Sequence, residues 1–294
     1  MKKLYRQSPA EVGFEIINHA LLIIVAVVAV YPFIYVFSAS ISNPLRVLAG
    51  DVLLLPKEIN FDAYTIILKY EYFWIAYRNT FFYTLIGTIM NVALTILAAY
   101  PLSRRWLYGR SVIQFVIIFT LFFSGGLIPN FLLIKQLGML DTALAMIVPG
   151  AVSVGNLIIA RTYLQANLPD DFVEAAEIDG ATDLDVLIKI VLPLSLPVVA
   201  VITLFYAVGH WNEYFNALIY LRSRDLLPLQ VILREIVIAN ATQEVLSDFA
   251  GMRAQMAESL KYAVIIVATL PILLSYPFLQ RYFVKGVMIG GLKG

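Results

Sequence analysis

The residues that could carry out chemistry are few, and most lie in one short stretch, His210–Asn216 ("HWNEYFN"), within an otherwise apolar segment. His210 and Glu213 form a potential acid–base pair, but no serine lies beside them in sequence to act as a nucleophile. The chain has no cysteine, which excludes thiol catalysis, thiolate metal sites and disulfides. His19, the second histidine, is too distant in sequence for any recognised zinc spacing. An intramembrane enzyme is therefore the least favoured hypothesis.

The same stretch could instead line a path for a polar solute. Polar residues inside membrane helices are costly, so they indicate either a pathway or hydrogen bonds between helices. Aromatic rings such as Trp211 stack on sugars, and amides such as Asn212 bond hydroxyl groups. On a continuous helix, His210 with Glu213 and Asn212 with Asn216 would each share one side. The sequence leaves pathway and helix–helix contact equally open. The candidate pathway residues are His210, Trp211, Asn212, Glu213, Tyr214, Asn216 and, with helix–helix contact favoured, Asn156.

The composition requires an integral membrane protein. Of the 294 residues, 61% are hydrophobic and 14% are charged, whereas soluble domains have about 25% charged residues. A net charge of +1 argues against nucleic-acid binding. A membrane-crossing helix needs about 20 apolar residues. We therefore predict an all-α chain, a single membrane domain with six membrane helices at about Ile17–Ser38, Asn79–Leu102, Ser111–Ile128, Thr142–Arg161, Leu196–Leu221 and Leu260–Phe283.

The positive charges predict the orientation. Ile17–Ser38 is too long for the apolar core of a signal peptide, so we expect it to be retained as a membrane helix. Lys2, Lys3 and Arg6 precede it, and three arginines lie in the short turn at residues 103–110. Cations concentrate on cytoplasmic loops. We therefore expect a multi-pass protein of the cytoplasmic (inner) membrane, with both termini and residues 170–195 in the cytoplasm.

Residues 170–195 are unusually polar for their position between two apolar spans. Asp171 and Glu174 have the spacing of a capping box, and Gly180 is a natural helix end. A second helix is predicted from Thr182 or Asp183 until Pro193. The small residues Ala175, Ala176 and Gly180 would let another protein approach the backbone closely. From these residues alone, a simple interfacial connection between two spans is the favoured interpretation.

The spacing of these residues resembles the EAA motif of permeases from binding-protein-dependent ABC sugar importers. The motif is carried by Glu174, Ala175, Ala176, Gly180, Ile190, Leu192 and Pro193, and Asp179 and Ala181 extend it to the sugar-importer form EAAxxDGA. The resemblance implies that this segment is a coupling helix that binds in a groove of an ATPase subunit. It also implies that ATP-driven closure of the ATPase dimer moves the membrane helices.

Two further segments support the resemblance, which covers nearly the whole chain. "QRYFVKGVMIGGLKG", from Gln280 to Gly294, is similar to the end of the second permease in maltose-type importers. The similarity implies that the tail, residues 284–294, reaches the ATPase through Gly286, Gly290, Gly291 and Lys293. Phe122–Thr142 is similar to the oligosaccharide and polysaccharide branch, which includes importers of alginate and pectin fragments.

The partners of this chain follow from the resemblance and from one missing motif. The chain lacks G-x-x-x-x-G-K-[ST], so ATP and Mg²⁺ are expected on a separate ABC ATPase dimer and no cofactor on this chain. A second, homologous permease, an extracytoplasmic solute-binding protein and an oligosaccharide are the other implied partners. The alternative is an ion-coupled secondary transporter, which would show internal repeats or helices broken at matched positions. The sequence indicates neither.

Overall fold

The computed structural model describes residues 9–237 and 258–274, except for the side chains of Ala10 and Glu177. Every regular element among these residues is a helix. The described residues fall into two compact units. One unit contains residues 9–70, 235–237 and 258–268, and the other contains residues 71–234 and 269–274.

The first unit is built on one long apolar helix, α1 (Pro9–Ser40). Two short helices follow, α2 (Pro44–Leu48) and α3 (Asp62–Lys69). The end of α1 packs through Ala39 and Tyr35, and the Tyr35 ring meets the Tyr262 ring edge-on at a centroid distance of 5.7 Å. The rest of α1 exposes its apolar side chains, as expected for a helix that contacts lipid or another protein.

The loop between α1 and α3 is ordered by its own polar residues. The Arg46 guanidinium pairs with Glu58 at 2.6 Å and with Asp51 at 3.3 Å. The Ser40 hydroxyl shares a hydrogen bond of 2.7 Å with the Tyr64 hydroxyl. Residues 41–70 therefore contain two helices and a fixed ionic turn.

The second unit contains the remaining elements. Three of them pack against one another at its centre, α4 (Glu71–Ser103), α8 (Val154–Asn167) and α12 (Leu196–Trp211). In chain order the elements of this unit are α4 (Glu71–Ser103), α5 (Arg110–Phe122), α6 (Leu127–Gln136), α7 (Leu144–Ile147), α8 (Val154–Asn167), α9 (Asp170–Ile178), α10 (Asp183–Val186), a π-helical turn (Leu187–Val191), α11 (Leu192–Leu194), α12 (Leu196–Trp211), α13 (Phe215–Tyr220), a 3₁₀ turn (Arg224–Leu226) and α14 (Leu229–Val237), whose last three residues belong to the first unit.

Three of the predicted spans are broken rather than continuous. The helix expected at Ser111–Ile128 ends at Phe122 and restarts at Leu127 after a bend of 113°. The break contains Gly126, whose φ of +85° is readily adopted by glycine. The helix expected at Thr142–Arg161 is interrupted after α7 at Pro149 and Gly150, because proline lacks an N–H and Gly150 has a φ of +74°.

The third break lies in the predicted span Leu196–Leu221, at residues 212–214. Its cause is competition between side chains and the helical backbone. The Asn212 amide donates to the Val208 carbonyl at 2.9 Å, and the Glu213 carboxylate accepts the Asn216 backbone N–H at 3.0 Å. Glu213 thereby caps α13, and the helix sides expected for residues 210–216 do not form.

The number of membrane crossings depends on how the bent helices are counted. Two described helices are long and apolar enough to cross a membrane, Glu11–Ser40 and Glu71–Ser103. The count reaches four if α5 with α6, and residues 183–194 with α12, each form one span. The span expected at Leu260–Phe283 is helical from residue 260 to residue 274, and its remainder lies outside the described residues.

The polar loop after α13 is held in place by the start of α4. The Asn79 amide donates to the Asp225 carbonyl at 2.7 Å, and the Thr80 hydroxyl accepts the Leu229 backbone N–H at 2.8 Å. Asp141 accepts hydrogen bonds from the Ser223 hydroxyl and from the backbone of residues 222 and 223. These donors lower the pKa of Asp141, so its carboxylate stays charged at neutral pH.

Candidate functional site

The acidic segment forms two short helices that meet at a sharp turn, which we call the elbow (residues 170–194). α9 begins at Asp170, directly after Pro169, and ends before Gly180. Gly180 has a φ of +81°, and the Ala181 N–H donates to the Ala176 carbonyl at 2.9 Å, which closes a Schellman motif. Gly180 therefore ends the helix as predicted, through a conformation that L-residues with side chains rarely adopt.

The second half of the elbow starts with a capping box. Thr182 and Asp185 exchange hydrogen bonds between their side chains and backbones, whereas the sequence predicted such a box at Asp171 and Glu174. Lys189 pairs with Asp185 at 2.6 Å. This pairing and the Thr182 hydrogen bonds lower the pKa of Asp185 to about 2, so the box remains intact at neutral pH.

The second helix does not end at Pro193. A π-helical turn, Leu187–Val191, comes first, and the helix continues to Leu194 before α12 departs at 83°. The wider turn pairs the Leu192 N–H with the Leu187 carbonyl, so Pro193 can follow although it has no N–H to donate. The EAA residues Ile190, Leu192 and Pro193 thus lie in or just after this turn, next to the bend.

A buried arginine attaches the elbow to α4. The Arg104 side chain is 2% exposed, and its Nη1 donates to the Leu168 carbonyl and to the Asp170 carboxylate, both at 3.0 Å. Its guanidinium also lies 5.2 Å from the centre of the Tyr100 ring. The sequence indicated Arg104 only as one of three cations in a turn. Its structural role depends on long-range packing that no local pattern reveals.

The elbow also shares one apolar cluster with three long helices of the second unit. Val173 and Val186 pack with residues of α4, α8 and α12. The buried members of this cluster are Ile96, Ala99, Tyr100, Leu102, Leu157, Ala160, Leu164, Leu168, Val173, Val186, Leu187, Val191, Val198, Ile202 and Tyr206. The elbow is thus packed closely against all three helices.

The outer surface of the elbow has no partner among the described residues that would bury it. Glu174, Ala175, Asp179 and Gly180 are exposed, whereas Ala176 and Ala181 are half-buried. Ile178 is 87% exposed. Leu184, at 61%, is exposed as well, so the elbow presents apolar side chains beside its carboxylates.

Polar residues connect α4 to α12 in a seam. The Asn91 amide donates to His210 Nε2 at 3.1 Å, and Thr95 shares a hydrogen bond of 2.6 Å with the Tyr206 hydroxyl. The Tyr206 hydroxyl also accepts the Ser153 backbone N–H at 2.9 Å. Gly87 lies so close to the His210 ring that a side chain there would overlap it. His210 is thus a contact between helices, which was one of the two interpretations left open.

The other candidate pathway residues divide by exposure. Trp211 is 5% exposed and packs edge-on against the rings of Tyr77 and Phe81, and Asn156 is also buried. Asn212 and Tyr214 are exposed, and Glu213 and Asn216 are half-buried in and beside the break between α12 and α13. The structure therefore brings four of the seven candidates together at the break and places three within packed contacts.

Several residues that organise these sites were not found from the sequence. Gly87, Thr95 and Tyr206 lie at the α4–α12 seam, where the pattern of polar residues on α4, at positions 88, 91 and 95, was the available signal. The tail residues Gly286, Gly290, Gly291 and Lys293 lie outside the described residues, so their predicted role in ATPase binding stays a prediction.

The described residues form a helical membrane protein with an exposed, acidic elbow. Residues 73–289 match the family of binding-protein-dependent transport system inner membrane components, and the chain belongs to that family. This membership disfavours a secondary transporter. Unbroken helices do not count against a secondary transporter here, because three of the predicted spans are broken.

Similar proteins are known over nearly the full length. The chain is 42% identical to the polygalacturonan/rhamnogalacturonan transport system permease protein YtcP of Bacillus subtilis, over 96% of this chain and 98% of the relative. It is 38% identical to protein LplC of Bacillus subtilis, over 96% and 95%. Among solved structures, it resembles a chain of a bacterial ABC transporter involved in the import of the acidic polysaccharide alginate. That match has a TM-score of 0.87 and 37% identity, and covers 95% of this chain and 99% of the other.

Proposed function

We propose that this chain is a translocation subunit of an ATP-driven oligosaccharide importer and that the elbow couples it to a separate ATPase. The supporting observation is the apolar cluster that joins Val173 and Val186 to α4, α8 and α12. A force applied to the elbow would reach three long helices through this cluster. A segment that only connected two spans would not require such extensive packing.

The surface of the elbow fits a groove in a protein partner. Glu174 and Asp179 offer exposed carboxylates to a partner's basic side chains. Ile178 and Leu184, which are 87% and 61% exposed, offer apolar area. The small residues Ala175 and Gly180 permit close approach to the backbone between them. The elbow therefore offers a partner protein negative charge, apolar contact area and close approach to its backbone on the same exposed surface.

The proposed importer requires further subunits. ATP and Mg²⁺ bind to the ATPase dimer, and a second homologous permease forms the other half of the pathway. A solute-binding protein delivers the substrate on the side opposite the elbow. In this arrangement the elbow, and with it both chain termini, lie in the cytoplasm. The exposed apolar surfaces of α1 and α5 contact lipid or the second permease.

The proposed substrate is an oligosaccharide that carries carboxylates. YtcP is named for polygalacturonan and rhamnogalacturonan, and the structural neighbour imports alginate, which is also an acidic polysaccharide. In this chain, Arg222 is exposed on the loop after α13, and the Arg224 guanidinium lies 4.6 Å from the centre of the Tyr72 ring. These two arginines provide positive charge near one end of the second unit.

A competition assay tests the substrate class. We expect the assembled importer in proteoliposomes to take up a labelled galacturonate oligomer, with unlabelled galacturonate or mannuronate oligomers competing. Neutral gluco-oligomers of equal length are the control and should not compete, because they lack carboxylates. Equal competition by neutral and acidic oligomers would contradict the proposed substrate class while leaving ATPase coupling untouched.

Single introduced cysteines test the coupling role, since the natural chain has no cysteine to interfere. Ile178→Cys should react with a maleimide reagent from the cytoplasmic side when the ATPase is absent. Binding of the ATPase should slow this labelling by about 10-fold or more, because groove residues in a specific interface are excluded from water. The matched control is Tyr108→Cys, at a residue that is 98% exposed on a different turn. Unchanged labelling of Ile178→Cys on ATPase binding would contradict the coupling role.

A further inference from the structure

We propose that the turn before α5, residues 105–112, binds the headgroup of an anionic phospholipid. The proposal rests on a cavity, its charge, its aromatic residues and the apolar helix that follows. A cavity of about 460 Å³ is lined by this continuous segment alone. The lining includes two arginines and one serine but no acidic residue.

The positive charge at this turn is not taken up by ion pairs among the described residues. Within the part of the chain that the structure describes, neither Arg105 nor Arg110 forms an ion pair, whereas Arg104 pairs with Asp170. Arg110 donates to the Arg104 carbonyl at 3.1 Å, and Arg161 donates to the Leu102 carbonyl at 3.3 Å. Three cationic side chains therefore lie around the end of α4, and none of them forms an ion pair with another described residue.

The aromatic residues of the turn match the boundary between a membrane and water. Trp106 is 58% exposed and Tyr108 is 98% exposed. Rings of this kind concentrate at the level of lipid headgroups, where one end of the ring is in contact with water and the other with acyl chains. α5 follows directly from Arg110, and none of its side chains is buried among the described residues. The turn is thus the polar end of an apolar helix whose surface is uncovered among the described residues.

The distribution of charge favours lipid over the ATPase at this surface. Arg105 and Trp106 also border a second cavity, of about 500 Å³, whose other side is formed by the elbow residues Asp170, Glu174 and Asp183. A protein that complements the acidic elbow must offer positive charge there. The turn, on the other side of Arg105 and Trp106, is basic and needs a negative ligand. A phosphate-bearing lipid headgroup satisfies that need and has acyl chains that can lie along α5.

Native mass spectrometry of the purified full chain tests the proposal. The chain should retain phosphatidylglycerol or cardiolipin in preference to phosphatidylcholine. Arg105→Gln should reduce the retained anionic lipid by about 5-fold, the loss expected for one basic residue at a membrane surface. Arg105 is suited to this test because its exposed side chain makes no hydrogen bond to the described residues, so its loss should not disturb the fold. Arg110→Lys, which keeps the charge, should retain the lipid.

The control is Arg222→Gln, which removes an exposed arginine from the loop after α13 and should leave lipid retention unchanged. Equal retention by the natural chain and Arg105→Gln would overturn the proposal. Displacement of the lipid by inorganic phosphate alone would show a site for soluble anions, which also overturns it. Loss of ATPase co-purification by Arg105→Gln with unchanged lipid retention would assign the surface to the ATPase instead.

Discussion

Gly180→Trp is expected to reduce ATP-driven uptake by about 30-fold or more while the chain still inserts into the membrane. Gly180 adopts a φ of +81°, so a side chain there strains the turn and adds bulk where the ATPase must approach. Disrupting a residue at the centre of an interface reduces the binding free energy by about 2 kcal/mol or more. The measurement is uptake by the assembled importer, together with the amount of ATPase that co-purifies with the membrane subunit.

Gly138→Trp is the matched control for this change. Gly138 also has a positive φ, +68°, has open space around it, and follows α6 in a Schellman motif closed by the Met139 N–H and the Ile134 carbonyl. The Gly138→Trp variant therefore introduces the same backbone strain at a position outside the elbow, and it should preserve association with the ATPase. Gly180→Asn should restore part of the uptake, because asparagine tolerates this conformation. Normal uptake by Gly180→Trp would contradict the coupling role of the turn.

Trp211→Ala is expected to destabilise the chain by about 3–5 kcal/mol, the usual cost of truncating a buried tryptophan. Trp211 is 5% exposed, and its ring meets those of Tyr77 and Phe81 edge-on at centroid distances of 5.9 Å and 5.6 Å. Removing it leaves a cavity between α4 and α12. Thermal unfolding of the detergent-purified chain measures the effect. We expect the amount of folded protein to fall strongly, and any reduction in uptake to follow from that loss.

Asn212→Ala distinguishes a role in the substrate pathway from a role in helix packing. The Asn212 side chain is exposed and makes one hydrogen bond, to the Val208 carbonyl at 2.9 Å. Its removal should change the free energy of unfolding by about 1 kcal/mol or less. We expect reduced uptake with a nearly normal unfolding temperature, because Asn212 lies at the break beside Glu213 and Tyr214. A stable Asn212→Ala importer with normal uptake would exclude this residue from the substrate path.

The neighbouring residues 211 and 212 show what the sequence could and could not predict. The sequence predicted that this cluster of polar and aromatic residues lines a pathway or joins helices, and the structure places His210 and Trp211 in contacts between α4 and α12. The division of residues 211 and 212 into a packed ring and an exposed amide depends on where the helix breaks, and that break arises from the capping of α13 by Glu213. Hydrophobic periodicity predicted one uninterrupted helix, because it does not show where side chains compete with the backbone for hydrogen bonds.

The elbow was more predictable because its signals are local. Glycine readily adopts the positive φ that ends a helix, and threonine caps the start of one. The end of α9 at Gly180 and the start of α10 after Thr182 therefore follow from short-range chemistry. The attachment of the elbow was not predictable in the same way. Arg104 is separated from Leu168 and Asp170 by more than 60 residues, and only the assembled fold shows that its guanidinium is buried against them.

The central claim is that a partner ATPase moves the elbow and that the elbow carries α4, α8 and α12 with it. Electron cryomicroscopy of the complete importer, with and without a non-hydrolysable ATP analogue, tests this claim most directly. We predict that Ala175 lies within an ATPase groove in both states, and that residues 170–194 shift together with Arg104 and Ile202 when the nucleotide binds. A structure in which residues 174–181 contact no ATPase residue, or stay fixed while α12 moves, would contradict the account.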